Sequence, residues 1–247
     1  MPGERILILG GTRDARELAA SLISEGFSVI TSLAGVTGDP LLPQGELRRG
    51  GFGGAEGLAR YLRHEGVAAV ADATHPFAAR ISAHAAEACR SEALPLLRLE
   101  RPAWRPSPGD RWTMAESVMP AARLLPEGAR VLLTIGRKEI GPFLAREDVS
   151  GVARMIEPPP VGLPARWRLL LARPPFSVAS ERQLMREHAI TCLVTKNAGG
   201  SATEAKLEAA RELEIPVIMV QRPVKPDVQT FAGAAELAVA TRRLLSP

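Results

Sequence analysis

Cysteine, aromatic residues and long apolar runs are all scarce in this chain, and each scarcity removes a class of function. Among 247 residues there are 2 cysteines, Cys89 and Cys192, far apart and each set among apolar neighbours. Neither a disulfide framework nor a zinc site is expected, and both are read as reduced, buried thiols. Aromatics make up 4% with 1 tyrosine, which leaves little to stack on bases. The 31 Lys and Arg residues against 27 Asp and Glu give a net charge of +4, scattered with no block of like charge. Nucleic-acid binding is therefore not expected; a small cation excess suits a pocket for a polyanionic small molecule. No apolar run reaches the roughly 18–20 residues of a membrane helix. Met1-Pro2-Gly3-Glu4-Arg5 leads into an apolar strand without the regions of a signal peptide. The expectation is a cytoplasmic protein without a membrane partner, as a monomer or small homo-oligomer. No H-E-x-x-H, Walker A, G-x-S-x-G or metal-spaced Cys/His set is present, which sets hydrolase and metal chemistry aside.

What the chain does have is alternation. Arg5–Leu9 is a continuous apolar run ending at Gly10-Gly11, the pattern of a buried parallel strand and a tight turn. In Thr12–Glu25, Ala15, Leu18, Ala19, Leu22 and Ile23 recur on one helical face, and Gly26 closes the segment. Phe27–Leu33 reads as strand, Ala55–Glu65 as helix, Val67–Ala73 as strand, Ala78–Glu92 as helix and Leu94–Leu99 as strand. The Pro-rich stretch Arg101–Asp110 fits neither regular element. Alternation resumes with strands at Arg130–Ile135, Val152–Ile156, Arg168–Leu171, Thr191–Val194 and Val217–Val220. Helices are expected at Ser180–His188, Thr203–Leu213 and Gly233–Leu245. Glu157-Pro158-Pro159-Pro160 reads as a loop placed where a lid could be. The fold class is α/β: two Rossmann-like domains with mainly parallel sheets and an interdomain cleft, the domains spanning 1–102 and 112–247 around a linker at 103–111. A weak repeat supports two similar halves. Laid without a gap, Val70–Pro102 matches Thr191–Pro223, pairing Thr74 with Thr195, Glu87 with Glu208, Arg90 with Arg211 and Pro95 with Pro216.

Candidate functional residues gather at strand ends. Gly10-Gly11-Thr12-Arg13-Asp14-Ala15 fits two positions of the G-x-G-x-x-G/A fingerprint, with Thr12 in place of the middle glycine. It follows the first strand and opens the first helix, where a pyrophosphate can rest on backbone N–H groups. The second strand ends Thr31-Ser32-Leu33-Ala34-Gly35 with no carboxylate, so Ser32 can donate to a 2′-phosphate; that favours NADPH over NADH, with Arg13 the nearest cation in sequence. Asp72-Ala73-Thr74-His75-Pro76-Phe77-Ala78 puts a polar cluster at a strand end, with Pro76 able to occupy a first helical position. Asp72 and Thr74 are candidates for the cofactor, and His75 for holding an anionic ligand or donating a proton. In the second half Gly136-Arg137-Lys138 and Thr195-Lys196-Asn197-Ala198-Gly199-Gly200-Ser201 combine cations or amides with glycine, suited to gripping carboxylates or phosphates. Arg222 sits at another expected strand end.

Taken together, I-L-I-L-G-G-T-R-D-A-R-E-L-A, T-S-L-A-G, G-G-F-G-G, D-A-T-H-P-F-A, T-I-G-R, V-T-K-N-A-G-G and I-P-V-I-M-V-Q-R-P resemble the precorrin-6A reductase family of cobalamin biosynthesis, in the same order from the first strand almost to the C-terminus. The resemblance implies NADPH-dependent reduction of one double bond in the precorrin-6A macrocycle, or its cobalt form, to give precorrin-6B. It implies two Rossmann-like domains with the tetrapyrrole bound between them, and neighbouring pathway enzymes as conceivable partners. Three departures stand out. Val36 replaces an Arg that often follows S-L-A-G, Ala172-Arg173-Pro174-Pro175-Phe176 lacks a glycine of S-R-G-P-F, and Ala198 replaces a serine. Two rival readings fit the residues less well. A short-chain-type enzyme needs Tyr-x-x-x-Lys, but Tyr61 is followed at that spacing by Glu65. A non-catalytic NADPH-sensing module leaves the cation- and glycine-bearing second half without use.

Overall fold

The computed structural model describes residues 3–33 and 42–245, in two units: the chain up to Pro102 together with Val224 onward, and Ala103–Pro223. The first unit opens with β1 (Arg5–Leu9), α1 (Arg13–Ser24), β2 (Ser28–Leu33), β3 (Glu46–Arg49), α2 (Gly54–His64), β4 (Val67–Asp72), α3 (Ala79–Ser91) and β5 (Leu96–Leu99). The second holds β6 (Trp112–Ala115), α4 (Val118–Arg123), β7 (Arg130–Thr134), α5 (Gly141–Leu144), β8 (Ser150–Met155), β9 (Trp167–Leu171), α6 (Val178–Glu187), β10 (Cys192–Lys196), a 3-10 turn at Ser201–Thr203, α7 (Ala205–Glu212) and β11 (Val217–Val220). The chain then returns to the first unit with β12 (Thr230–Phe231) and α8 (Ala234–Leu245).

Each unit builds a parallel six-stranded sheet, ordered β12-β5-β4-β1-β2-β3 in the first and β6-β11-β10-β7-β8-β9 in the second. Both are doubly wound: from a central strand the chain steps one way, then crosses to the other side, so a switch point lies between β1 and β4 and between β7 and β10. In such sheets the strand C-terminal ends at the switch point are where ligands bind. The apolar alternation produces this directly. Ile6, Ile8, Leu18 and Leu22 are fully buried on one face of the first sheet, while Leu7, Leu58 and Leu62 fill the other. At about 1.5–3 kcal/mol per buried Leu or Ile side chain, these clusters hold the edge residues in place. The second unit packs Leu132, Leu193, Leu207 and Met219 likewise.

Three expectations need correction. Residues 224–247 do not complete the second domain: α8 buries Leu237 and Ala238 in the first unit's core, and Phe231 pairs with Leu99. Residues 103–111 belong to the second unit rather than to a separate linker. The gapless repeat slips by two residues. Val70 pairs with Leu96 and Leu193 with Val217, so by register Asp72, not Thr74, stands where Thr195 stands in the second unit.

Candidate active site

In the first unit the Gly10–Thr12 turn and the Ala73–His75 segment leave the sheet on the two sides of the switch point. Gly10 has no room for a side chain, since a Cβ there would lie 2.8 Å from the Thr31 methyl carbon. Gly11 is the opposite case: φ is +108° and a Cβ would meet nothing within 4 Å, so the backbone turns in the left-handed region beside open space. Thr12 caps α1, accepting from the Ala15 N–H at 3.0 Å, and spends its hydroxyl proton on the Ala73 carbonyl at 2.9 Å. That hydroxyl is thus a staple across the switch point, with its proton already spent. The first-turn N–H groups and the positive end of a 12-residue helix remain as the anion-attracting feature. Asp14, a carboxylate in that same turn, is paired with Arg101 at 2.6 Å. A pyrophosphate fits this turn on backbone terms alone.

At the end of β2, Ser32 and Leu33 are buried to 6% and 7% exposure, and Ala34 and Gly35 lie outside the described residues, as does Val36. Arg13 runs along its helix to Glu17 at 2.7 Å, a surface pair. The cation beside Ser32 comes instead from β3, where Ser32 pairs with Arg48 and Leu33 with Arg49. Arg48 is held on the carbonyls of Gly50 at 2.6 Å and Gly51 at 2.8 Å, stacks 3.7 Å over the Phe52 ring, and reaches the Ser32 hydroxyl at 3.4 Å. Sequence reasoning missed it because E-L-R-R, a half-exposed edge strand, carries no apolar run.

Asp72 is not turned to a ligand. At 1% exposure its carboxylate accepts from the Thr74 hydroxyl at 2.6 Å and N–H at 3.3 Å, and pairs with buried Arg98 at 3.3 Å. Arg98 in turn donates to the Pro226 carbonyl at 2.8 Å, fastening the returning segment. The polar cluster ending β4 is therefore largely a buried latch, and the Thr74 hydroxyl belongs to it. Pro76 is not the first helical residue either. It lies in a turn closed by the Ala78 N–H on the His75 carbonyl at 2.8 Å, and α3 starts after Ala78. Exposed His75 accepts the Phe77 N–H on Nδ1 at 3.2 Å, which places its ring proton on Nε2.

In the second unit, Lys196 ends β10 and is paired with Glu139, a residue the sequence reading passed over. Arg137 is tied to the Glu157 carboxylate at 3.5 Å and the Pro158 carbonyl at 3.2 Å, while Lys138 is exposed beside Gly136. Thr195 is buried in the strand. Asn197 is buried too, and its amide does not face a ligand: it accepts from the Trp104 N–H at 2.8 Å and donates to the Trp104 carbonyl at 3.1 Å. Gly199 and Gly200 have φ of +68° and +81°, the backbone reason for two adjacent glycines, and exposed Ser201 begins the 3-10 turn. Arg222 supports the loop from below, donating to the carbonyls of Asn197 at 2.8 Å and Ala198 at 3.1 Å. Cys89 and Cys192 are buried, and desolvation pushes each thiol up to about 12, so neither is a nucleophile at neutral pH. Among the described residues no group of three metal-ligating side chains occurs, and no helix is long and apolar enough to cross a membrane.

Two doubly wound parallel sheets, one with a glycine turn opening a helix at its switch point, define an α/β protein of Rossmann type. Comparison with known proteins narrows this. The family model described as "Precorrin-6x reductase CbiJ/CobK" matches residues 5–240. A precorrin-6A reductase of Rhodococcus erythropolis is 51% identical over 97% of this chain and 99% of its own length. A cobalt-precorrin-6A reductase of Priestia megaterium is 32% identical over 88% of this chain and 90% of its own. The solved structure of a CobK precorrin-6A reductase superposes with a TM-score of 0.92 at 41% identity, covering 98% of this chain and 97% of that one. The chain belongs to the precorrin-6x reductase family.

Proposed function

We propose that this chain reduces a double bond of the precorrin-6A macrocycle with NADPH as the electron source. The observation that carries the cofactor part is the Gly11 turn, left-handed, open to space and feeding directly into α1. Gly11 and the first-turn N–H groups would take the pyrophosphate. Arg48, fixed beside Ser32 at a strand end without a carboxylate, would take the 2′-phosphate that distinguishes NADPH from NADH. When bound, the nicotinamide supplies a hydride. The chain's own tasks are to hold, orient and desolvate, and to provide a proton. His75 is the proposed donor to the ring, taking up a solvent proton and passing it on to return to the neutral form that accepts the Phe77 N–H. Lys138, Arg137, Lys196 and the N–H groups of the Gly199–Ser201 loop would take the substrate's acetate and propionate carboxylates. Identities of 51% and 45% to relatives named precorrin-6A reductases, against 32% and 26% to ones named for the cobalt form, favour a metal-free ring.

The test is anaerobic mixing of the chain with precorrin-6A and NADPH while following nicotinamide absorbance. One equivalent of NADPH lost per ring is expected, with NADH far slower. Binding of NADPH without consumption would mean a sensing module, and equal use of NADH would overturn the cofactor assignment. In a single turnover His75→Ala should slow the reaction about 10²-fold; an unchanged rate removes His75 from the chemistry.

A further inference from the structure

Beneath the Asn197–Thr203 loop the second unit buries three ionisable side chains that the reaction does not use. Lys206, Glu181 and Arg154 are 3%, 0% and 8% exposed. Arg154 pairs with Glu181 at 2.7 Å and lies 4.0 Å over the Phe176 ring, while Glu181 Oε2 has no hydrogen-bond partner. Lys206, in the first turn of α7, donates to the Thr203 carbonyl and sits 4.5 Å from the centroid of the Trp104 ring. Trp104 is the hub above it. Its backbone is clamped by the Asn197 amide, and its indole Nε1 donates to the Gly200 carbonyl at 3.2 Å. An unbroken run of contacts therefore leads from the Lys206 ammonium through Trp104 to the left-handed Gly200. A buried ammonium is costly, and an apolar side chain of that length would fill the same space more cheaply.

We infer that Lys206 is a positioning residue: its charged form fixes Trp104 and Thr203, and through them sets the backbone of Asn197–Ser201 for gripping substrate carboxylates. This rests on the substrate reading above. The charged groups acting on it are Arg154 from β8, Glu181 from α6 and Glu204 at the start of its own helix. Burial, then Arg154, pushes Lys206 down to about 7, with Glu181 and Glu204 pulling the other way. The ammonium is then lost close to neutral pH, and with it the cation–π contact to Trp104.

Two readouts on the full chain test this. The first needs no substrate: amide-exchange protection of Trp104 and Ala198, whose N–H groups donate to the Asn197 side chain and the Lys196 carbonyl, corrected for intrinsic rate, from pH 6 to 8.5. About a tenfold fall through pH 7 is expected in the wild type, with low, pH-independent protection in Lys206→Met and restored, pH-independent protection in Lys206→Arg. The second is KM for precorrin-6A, expected to rise about tenfold over that range with kcat within twofold, and to be high and flat in Lys206→Met. Wild-type protection that ignores pH overturns the inference whatever the variants do. Protection that follows pH while KM does not leaves the loop device standing and overturns the substrate reading of the loop.

Discussion

Five strands of each sheet share one order, yet the two switch points are finished with opposite chemistry. In the first unit charge is buried behind the edge, as the Asp72–Arg98 pair, and the edge itself presents glycine backbone and the start of a 12-residue helix. In the second the register-equivalent position of Asp72 is neutral Thr195, and charge stands at the edge: Lys196 with Glu139, Arg137 with Glu157, and Lys138. There β7 runs into a turn and a helix of only 4 residues. Even the staples differ: Thr12 bridges β1 to β4 with a hydroxyl, whereas Lys196 and Glu139 bridge β7 to β10 with an ion pair. Backbone N–H groups at a helix start suit one compact phosphate held in a fixed place. Long cationic side chains suit carboxylates spread around a large ring. On the reading proposed above, one topology offers two kinds of anion site.

The sharpest way to break this comparison is to remove the buried charge that only one switch point has. Asp72→Ala leaves Arg98 buried without its partner and should cost about 3–5 kcal/mol in urea unfolding. Thr195→Val, at the equivalent place, should cost under about 1 kcal/mol. Equal losses would mean the Asp72–Arg98 latch holds nothing. Next is pH. Lys206 ionises at about 7 in the folded chain and near 10.4 when unfolded, so between those values the unfolded chain carries one more proton. Stability should therefore rise with pH across that window, by up to about 1.4 kcal/mol per pH unit, and not change on this account below it. Lys206→Met should lack that rise and be the more stable protein at pH 7; an unchanged curve would contradict the burial argument. Arg48→Met should weaken NADPH about 10- to 30-fold in equilibrium titration and NADH less than threefold; parallel losses would make Arg48 merely a support for the Gly50–Gly54 loop. Smallest, Glu139→Gln should lower KM for precorrin-6A about two- to fivefold by releasing Lys196. A rise would show that Glu139 aims the lysine rather than competing for it.

Much of the fold could be read from residues because interior parallel strands are continuous apolar runs: R-I-L-I-L, S-V-I-T-S-L and V-I-M-V all become strands. Three of the four edge strands in these sheets escape that signal, while W-R-L-L-L carries it. E-L-R-R, W-T-M-A and T-F are short and partly exposed, so nothing in their hydropathy marks them. The return of residues 224–247 was hidden for the same reason: the sixth strand arrives after the core in the first sheet and before it in the second. At the site, Gly10–Thr12 was legible because a strand, two glycines and an amphipathic helix leave one geometry open. Asp72 and Asn197 misled because a polar residue at a strand end looks the same whether it faces solvent or a buried partner. The placement of Arg48 and Trp104 was invisible because it comes from cross-strand register and from a segment that composition marks only as irregular.

The most direct test of the two-site account is equilibrium binding of NADPH, without substrate, to Gly11→Val and Gly200→Val. Valine at Gly11 fills the open space beside the left-handed turn, and NADPH affinity is predicted to fall at least about 10²-fold. Valine at Gly200 strains only the second unit's loop and should leave that affinity within about twofold of wild type. Unchanged binding in the first variant, or loss in the second, would contradict the account.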